Sequence, residues 1–410
     1  MKIALLGMGT VGSGVYEIIN EQKGMYFAKA PEKIVIKKVL VQDKHKPRKG
    51  FSDGEVLTDS FEEILEDDEI KTVIFAMGGL EPEYTFMKRS MERGKHVITA
   101  NKAVVSEYFD VLQDLADKHR VMFLFEASVG GGIPIITSLK ETLLINSIDE
   151  IKGILNGTSN YILSKMASEG KAFDDVLKQA QDLGFAEADP SADVDGYDVS
   201  RKLAILSSIA FGSHIRDGDI YKRGIRDVTK DDMEMFDHLG YVMKYLAHSK
   251  RLDNSYCASV EPVLLSSKDI MSNVNEEYNI VSIQGNIIGE LQFYGKGAGK
   301  NATANAVVGD LLYIMNNKER RDRIDLSHRM INLGLDAFRG KYYLRVSLHQ
   351  EQDFKDVLDL VDEVSKIKKM MVEKNIVFVI TEELPATVVN GLVDRLQGKG
   401  TSVFYARILP

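Results

Sequence analysis

Lys2-Ile3-Ala4-Leu5-Leu6-Gly7-Met8-Gly9-Thr10-Val11-Gly12 stands almost at the start of the chain. An apolar run ends on Gly7, and the glycines follow at G-x-G-x-x-G spacing, directly before a helical pattern. Gly7 permits a tight turn. Gly9 lets backbone approach a pyrophosphate, and Gly12 allows close packing of strand on helix. Thr10 and Val11 open the helix, whose free N–H groups and partial positive charge attract phosphate. The stretch reads as the strand, turn and helix of a dinucleotide site. It predicts a Rossmann-type, doubly wound α/β fold with a parallel sheet.

The pattern continues outward from that loop. Ile3–Leu6, Ile34–Val41, Val73–Ala76, His96–Thr99 and Met122–Phe125 read as strands. Helical periodicity lies between them at Phe61–Glu66, Tyr84–Arg93 and Tyr108–His119. Apolar strands joined by helical crossovers predict a parallel sheet covered on both faces. After Gly130-Gly131-Gly132 the character changes. Residues 133–212 are mostly helical apart from a strand at Glu150–Leu155, and residues 258–294 are β-rich. The last seventy residues read βαββαβ, the order of a ferredoxin-like split unit. We therefore expect a dinucleotide-binding domain at 1–131, completed by 301–335. An α+β catalytic and dimerisation domain follows at 132–300, then a separate block at 340–410.

Composition excludes several classes. A net charge of −9 over 410 residues disfavours nucleic acid and acidic membrane surfaces as partners. No apolar run approaches the roughly 20 residues of a membrane span. The N-terminal run is too short for a signal peptide and ends in the glycine loop. Cys257 is the single cysteine, so no intrachain disulfide forms, and a reducing compartment fits. We read the chain as cytoplasmic. The β-rich second domain suggests a homodimer.

Cofactor choice is open at this level. Asp43, at the end of the second strand, would accept a bond from a ribose hydroxyl and favour NAD. Lys44, Lys46 and Arg48 follow at once and would hold a 2′-phosphate, favouring NADP. A solvated basic loop is the plain alternative. The balance tips slightly to NADP.

Two lysines stand out. Thr99-Ala100-Asn101-Lys102 follows the fifth strand, and strand carboxyl ends face the ligand crevice in such sheets. Gly184 to Lys202 packs five carboxylates before an apolar helix. At about 100° per residue, Lys202 projects into the apolar sector of that helix, with Asp198 on its face. Asp195 joins them if helical geometry reaches back that far. A lysine on a buried face needs carboxylate partners or loses its charge, and suits proton transfer near neutral pH. The same acids would grip a substrate ammonium. An exposed i,i+4 pair is the plain alternative, but it leaves the apolar direction of Lys202 unexplained. At Glu126-Ala127-Ser128-Val129-Gly130-Gly131-Gly132, a carboxylate and turn carbonyls would suit a monovalent cation. On physical grounds alone, a strand ending in a flexible glycine turn is the stronger explanation.

Together these segments resemble the homoserine dehydrogenase family over nearly the whole chain. The most specific match runs from Ala180 to Lys202, with Asp189-Pro190, Asp193, Gly196, Asp198 and Lys202 at family spacing. Gly78-Gly79, Glu126–Pro134, Asn156–Asn160 and Tyr294–Gly299 also match. The resemblance implies that Lys102 and Lys202 are the paired active-site lysines. It implies that Glu187, Asp193, Asp198 and Thr158 bind or orient substrate. It places Gly78, Thr99, Gly297 and Gly299 by the cofactor, and Glu126, Val129, Gly131 and Ile133 around sodium. The C-terminal block then looks like an ACT domain that senses an amino acid such as threonine. Gln42 departs from the Arg often seen in NADP-using members, and 349–353 lacks the Pro-Gly often found there.

The implied reaction interconverts L-homoserine and L-aspartate 4-semialdehyde, in threonine and methionine biosynthesis. Thiohemiacetal chemistry is excluded, because Cys257 lies outside every motif. The rival from another class is a non-catalytic sensor of nucleotide and amino acid, which would have no use for the Glu187–Lys202 cluster.

Overall fold

The computed structural model describes residues 1–21, 30–46, 56–317, 324–348, 350 and 353–409. The chain divides into two units. The first comprises 1–148, 204–217 and 285–329, and the second 149–203, 218–284 and 330–410.

The first unit holds a six-stranded sheet. Its strands are β1 (Lys2–Leu6), β2 (Val35–Leu40), β3 (Leu57–Thr58), β4 (Ile70–Phe75), β5 (His96–Thr99) and β6 (Phe123–Leu124). All neighbours are parallel, in the order β3-β2-β1-β4-β5-β6. Ile3, Leu5, Val73 and Val97 are fully buried, as strands covered on both faces require. Strand order reverses between β1 and β4, and ligands bind at the carboxyl ends beside such a reversal.

The helix Lys300–Asn316 packs on Thr10–Glu21, and Ala304, Val307, Leu311 and Ile314 join Ile3, Val15 and Ile19 in one core cluster. A Cβ on Gly14 would meet the Ala304 Cβ at 2.9 Å, so glycine sets how closely the helices approach.

The remaining strands, in chain order, are β7 (Ile148–Ile154), β8 (Tyr221–Lys222), β9 (Tyr241–Leu252), β10 (Ser255–Ser266), β11 (Tyr278–Gly285), β12 (Gly289–Lys296), β13 (Ile331–Asn332), β14 (Arg339–Ser347), β15 (Ile367–Glu373), β16 (Ile376–Thr381), β17 (Leu384–Pro385) and β18 (Ser402–Ile408). In the second unit they run β11-β7-β9-β10-β18-β14-β16-β15. β9 and β10 form a long hairpin, paired from Ser255↔Leu252 to Ser266↔Tyr241. The sequence pattern does not predict β9. Lys244, His248 and Ser249 interrupt its apolar alternation, yet all three are buried. Lys244 donates to the Val274 carbonyl at 2.6 Å and to Asn275 Oδ1 at 3.1 Å. His248 Nε2 lies 2.8 Å from Glu150 Oε1. Partners far along the chain satisfy these polar groups.

From β14 onward the chain forms a βαββαβ unit of strand order β18-β14-β16-β15, antiparallel throughout. Its helices, Asp353–Val364 and Ala386–Gly398, pack on each other. β18 also pairs in parallel with β10, Val263 opposite Arg407 and Leu264 opposite Ile408. The sheet therefore continues from β10 into the C-terminal strands. Buried charges mark that junction. Arg407 lies 2.9 Å and Arg223 3.3 Å from the Glu261 carboxylate, and Arg407 and Glu261 are almost wholly buried. Burial pushes His248, beside Arg407, down to about 4. Nearby, Asp232 accepts from Arg345 Nε at 2.9 Å and from the Tyr343 hydroxyl at 2.8 Å.

Candidate active site

The glycine loop sits between the carboxyl ends of β1 and β4. Gly7 has φ +95°, and a Cβ there would stand 2.5 Å from the Ala76 carbonyl oxygen. A Cβ on Gly12 would stand 2.1 Å from the Gly7 oxygen. Packing therefore demands glycine at both positions. Gly9 is different: a Cβ there meets nothing within 4 Å. Its bare backbone faces open space at the start of the helix Thr10–Glu21, as a pyrophosphate would require. Gly78, after β4, is equally open. These residues fit a dinucleotide.

The loop after β2 keeps both cofactor readings alive. Asp43 accepts from the His45 backbone N–H at 2.8 Å. Lys44 pairs with Asp59 at 3.1 Å. That pair is solvent-exposed, so little energy holds it and the ammonium is easily redirected. Arg48 lies outside the described residues.

Lys102 is the first residue of the helix Lys102–His119. Asn101 caps that helix, its Oδ1 accepting from the N–H groups of Ala103 and Val104 at 3.0 and 3.3 Å. Asn101 Nδ2 donates to the Gly79 carbonyl at 2.6 Å, which ties the cap to the loop after β4. Thr99 Oγ1 accepts from the Asn101 N–H at 2.9 Å and donates to Glu83 Oε1 at 3.1 Å. Glu83 is wholly buried. Burial pushes its carboxyl up to about 7, against the opposing hydrogen bond of Thr99. Sequence reading misses Glu83, since a glutamate opening a helix after Glu81-Pro82 carries no mark of burial.

In the second unit, Lys202 is 7% and Asp198 5% exposed. Lys202 Nζ donates to Asp198 Oδ2 at 2.7 Å and to the Leu155 carbonyl at 2.6 Å. The lysine thus lies in the apolar sector, as its helical phase predicts. Asn156 joins the cluster, its Nδ2 donating to Asp193 Oδ1 at 2.7 Å and Asp198 Oδ2 at 2.9 Å. Asp195 does not join it. Gly196 has φ +95°, so the helix begins only at Tyr197, and Asp195 turns outward to a bidentate pair with Arg226 at 2.7 and 2.9 Å. A Cβ on Gly196 would lie 2.4 Å from the Tyr245 hydroxyl, so only glycine fits that turn. Thr158 Oγ1 donates to the Phe185 carbonyl at 2.7 Å, which holds the segment leading to Glu187. Glu187 itself is exposed.

The stretch from Glu126 closes on itself in the first unit. Glu126 Oε1 accepts from Ile136 N at 2.8 Å, and Oε2 from Thr137 N and Oγ1 at 2.9 and 2.5 Å. The carboxylate thus serves the N-terminus of the helix Ile135–Thr142. Gly131 has φ +53°, and a Cβ there would strike the Gly297 carbonyl oxygen at 2.5 Å. Gly132 N donates to the Lys296 carbonyl at 3.0 Å. The turns at 130–132 and 295–299 therefore meet backbone to backbone. Gly299, at φ +111°, precedes the helix Lys300–Asn316. Among the described residues no cluster of three or more His, Cys, Asp or Glu is arranged to hold a metal, and no helix is long and apolar enough to cross a membrane.

Comparison with known proteins gives a single answer. The family model described as "Homoserine dehydrogenase" matches residues 134–312, and that for "Homoserine dehydrogenase, NAD binding domain" matches 7–126. The homoserine dehydrogenase of Synechocystis sp. is 45% identical over 321 residues, covering 77% of this chain and 73% of the relative. That of Bacillus subtilis is 40% identical over 317 residues, covering 77% and 73%. The crystal structure of a homoserine dehydrogenase from Thiobacillus denitrificans superposes with TM-score 0.92 at 33% identity, covering 100% of this chain and 98% of the other. A hyperthermophilic archaeal homoserine dehydrogenase in complex with NADPH matches with TM-score 0.67 at 27% identity, covering 78% and 99%. With its glycine loop at the β1–β4 reversal and its buried Asp198–Lys202 pair, this chain belongs to the homoserine dehydrogenase family, the NAD(P)-dependent oxidoreductases that act on the CH–OH group of L-homoserine.

Proposed function

We propose that Lys202 is the proton-transferring group and Lys102 its electrostatic partner in the interconversion of L-homoserine and L-aspartate 4-semialdehyde. The buried Lys202–Asp198 pair at 2.7 Å carries this reading. A nicotinamide cofactor held by the Gly7–Gly12 loop would supply or accept hydride at the substrate carbon that bears oxygen. As hydride reaches the aldehyde carbon, negative charge grows on the carbonyl oxygen. Lys202 gives that oxygen its proton and Lys102 stabilises the charge; in the reverse direction Lys202 takes the proton away. Asp198 and the Leu155 carbonyl hold the ammonium of Lys202 in one direction. Glu187 and Asp193 hold the amino end of the substrate, and Thr158 fixes the segment before Glu187. Only an amino-acid-like aldehyde then sits productively.

The cofactor we propose is NADP, with Lys44 leaving Asp59 to meet the 2′-phosphate and Gly7 to Gly12 cradling the pyrophosphate. Gly78, Thr99, Gly297 and Gly299 complete that site. The NADPH complex of the archaeal relative supports this choice; Asp43 supports NAD. Comparing NADPH with NADH oxidation, each driven by aspartate semialdehyde, tests reaction and cofactor together. Absence of both activities overturns the assignment, and faster NADH turnover overturns the cofactor choice.

The C-terminal βαββαβ order supports an ACT-like block that takes an amino-acid effector such as threonine. The chain acts as a cytoplasmic homodimer in this reading. A monovalent cation such as sodium would rest on the turn carbonyls of Val129, Gly131 and Ile133 beside Glu126. No step of the mechanism depends on it.

A further inference from the structure

Asn156 uses every hydrogen-bonding position of its side-chain amide. Its two N–H bonds go to Asp193 Oδ1 at 2.7 Å and Asp198 Oδ2 at 2.9 Å. Its oxygen accepts from Ser159 N at 2.7 Å and Ser159 Oγ at 2.9 Å. The residue is 5% exposed. The backbone N–H of Ser159 can only donate, so it fixes the amide oxygen on its own side. The NH2 must then face the two acids.

Two carboxylates reached by one nitrogen repel each other. A lysine between them would hold them together but cancel one charge. The neutral amide holds both and leaves their charge in place. Lys202 completes the arrangement: it shares Asp198 Oδ2 with Asn156 and donates to the carbonyl of Leu155, the preceding residue. One dipeptide, Leu155-Asn156, thus holds the lysine through its backbone and the lysine's counter-ion through its side chain.

We propose that Asn156 is a positioning residue of the reaction, whose NH2 clamps Asp193 and Asp198 so that one stays charged toward the substrate ammonium and the other keeps Lys202 aligned for proton transfer. The proposal rests on the roles given above to Asp193 and Lys202. Its rival is a plain one. Asn156 is also the N-cap of the helix Gly157–Glu169, and a cap alone would explain its burial.

Asn156→Asp separates the two. Aspartate caps a helix about as well as asparagine and is nearly the same size. It replaces the clamping NH2 with an oxygen. The charged groups it meets are Asp193 and Asp198, with Lys202 on Asp198. At about pH 8 a third carboxylate opposes the other two, and kcat/KM for homoserine should fall on the order of a hundredfold, the effect of losing one or two hydrogen bonds to charged groups. Toward about pH 6 the new side chain takes up a proton and donates an O–H to one acid, so the deficit relative to wild type should shrink. Asn156→Ser keeps a cap oxygen and adds no charge. It should lose activity too, with a pH profile parallel to wild type. Both variants should bind NADPH as wild type does, followed by its fluorescence. Near-wild-type kcat/KM for Asn156→Asp across pH overturns the proposal and leaves Asn156 a cap. So does a loss in Asn156→Asp that runs parallel to wild type at every pH, or that comes with loss of NADPH binding. Failure of the underlying reading shows separately, as near-normal turnover of Lys202→Ala.

Discussion

Replacing Glu83 with glutamine should change how stability depends on pH, and the size of the change follows from burial. In the folded chain burial raises the Glu83 carboxyl from 4.5 to about 7. The hydrogen bond from Thr99 opposes that rise. Between about pH 4.5 and 7 the folded protein holds a proton that the unfolded chain has released. Stability must therefore fall as pH rises through that window. The contribution is complete below the lower value and lost above the upper one. A difference of this size corresponds to about 3 kcal/mol.

Glutamine has nothing to titrate. Its Oε1 still accepts from Thr99, and any misfit of its NH2 costs the same at every pH. The difference in unfolding free energy, variant minus wild type, should thus rise by about 3 kcal/mol from pH 4.5 to 7.5 and then level off. The chain has no tryptophan, so urea unfolding is best followed by far-UV circular dichroism at a series of pH values. Parallel curves for the two proteins would refute the reasoning, as would a difference that falls with pH.

Three further outcomes are expected. Lys202→Ala should fold normally and lose at least about a hundredfold in kcat, because the proton donor is gone; steady-state kinetics decides. Arg407→Ala leaves Glu261 buried without its 2.9 Å partner and should cost about 3–5 kcal/mol in urea unfolding, while pairing Arg407→Met with Glu261→Gln should recover most of it. A chain stopped after residue 338 loses β18 from the flank of β10 and Arg345 from buried Asp232, so it should be insoluble; a soluble, active product would show that the C-terminal block is detachable.

Much of the molecule is legible in the sequence because periodicity and glycine spacing act locally. The Gly7–Gly12 loop, the parallel strands and the inward phase of Lys202 all follow from neighbours within a few residues. What escapes depends on distant partners. β9 carries Lys244 and His248 indoors because Val274, Asn275 and Glu150 are waiting there. Asp195 leaves the Lys202 face because Gly196 takes a left-handed turn beneath Tyr245. Asn156 carries a signal that can be read only halfway. Asparagine before Gly157-Thr158-Ser159 suggests a helix cap, but nothing nearby says that its NH2 reaches residues 193 and 198.

The threading of the chain has a consequence for its synthesis. The first unit draws on 1–148, 204–217 and 285–329, and the helix Lys300–Asn316 covers the face that bears Ile3, Val15 and Ile19. A nascent chain emerging from the ribosome presents that face hundreds of residues before its cover exists. The glycine loop is made before residues 300–316, and its sheet is enclosed only once they have been translated. Until then the segment exposes apolar surface, which makes partly folded chains prone to aggregate. The same threading means that residues 1–148 cut out alone would expose that surface permanently, so a nucleotide-binding fragment would have to carry residues 300–316 grafted onto its end.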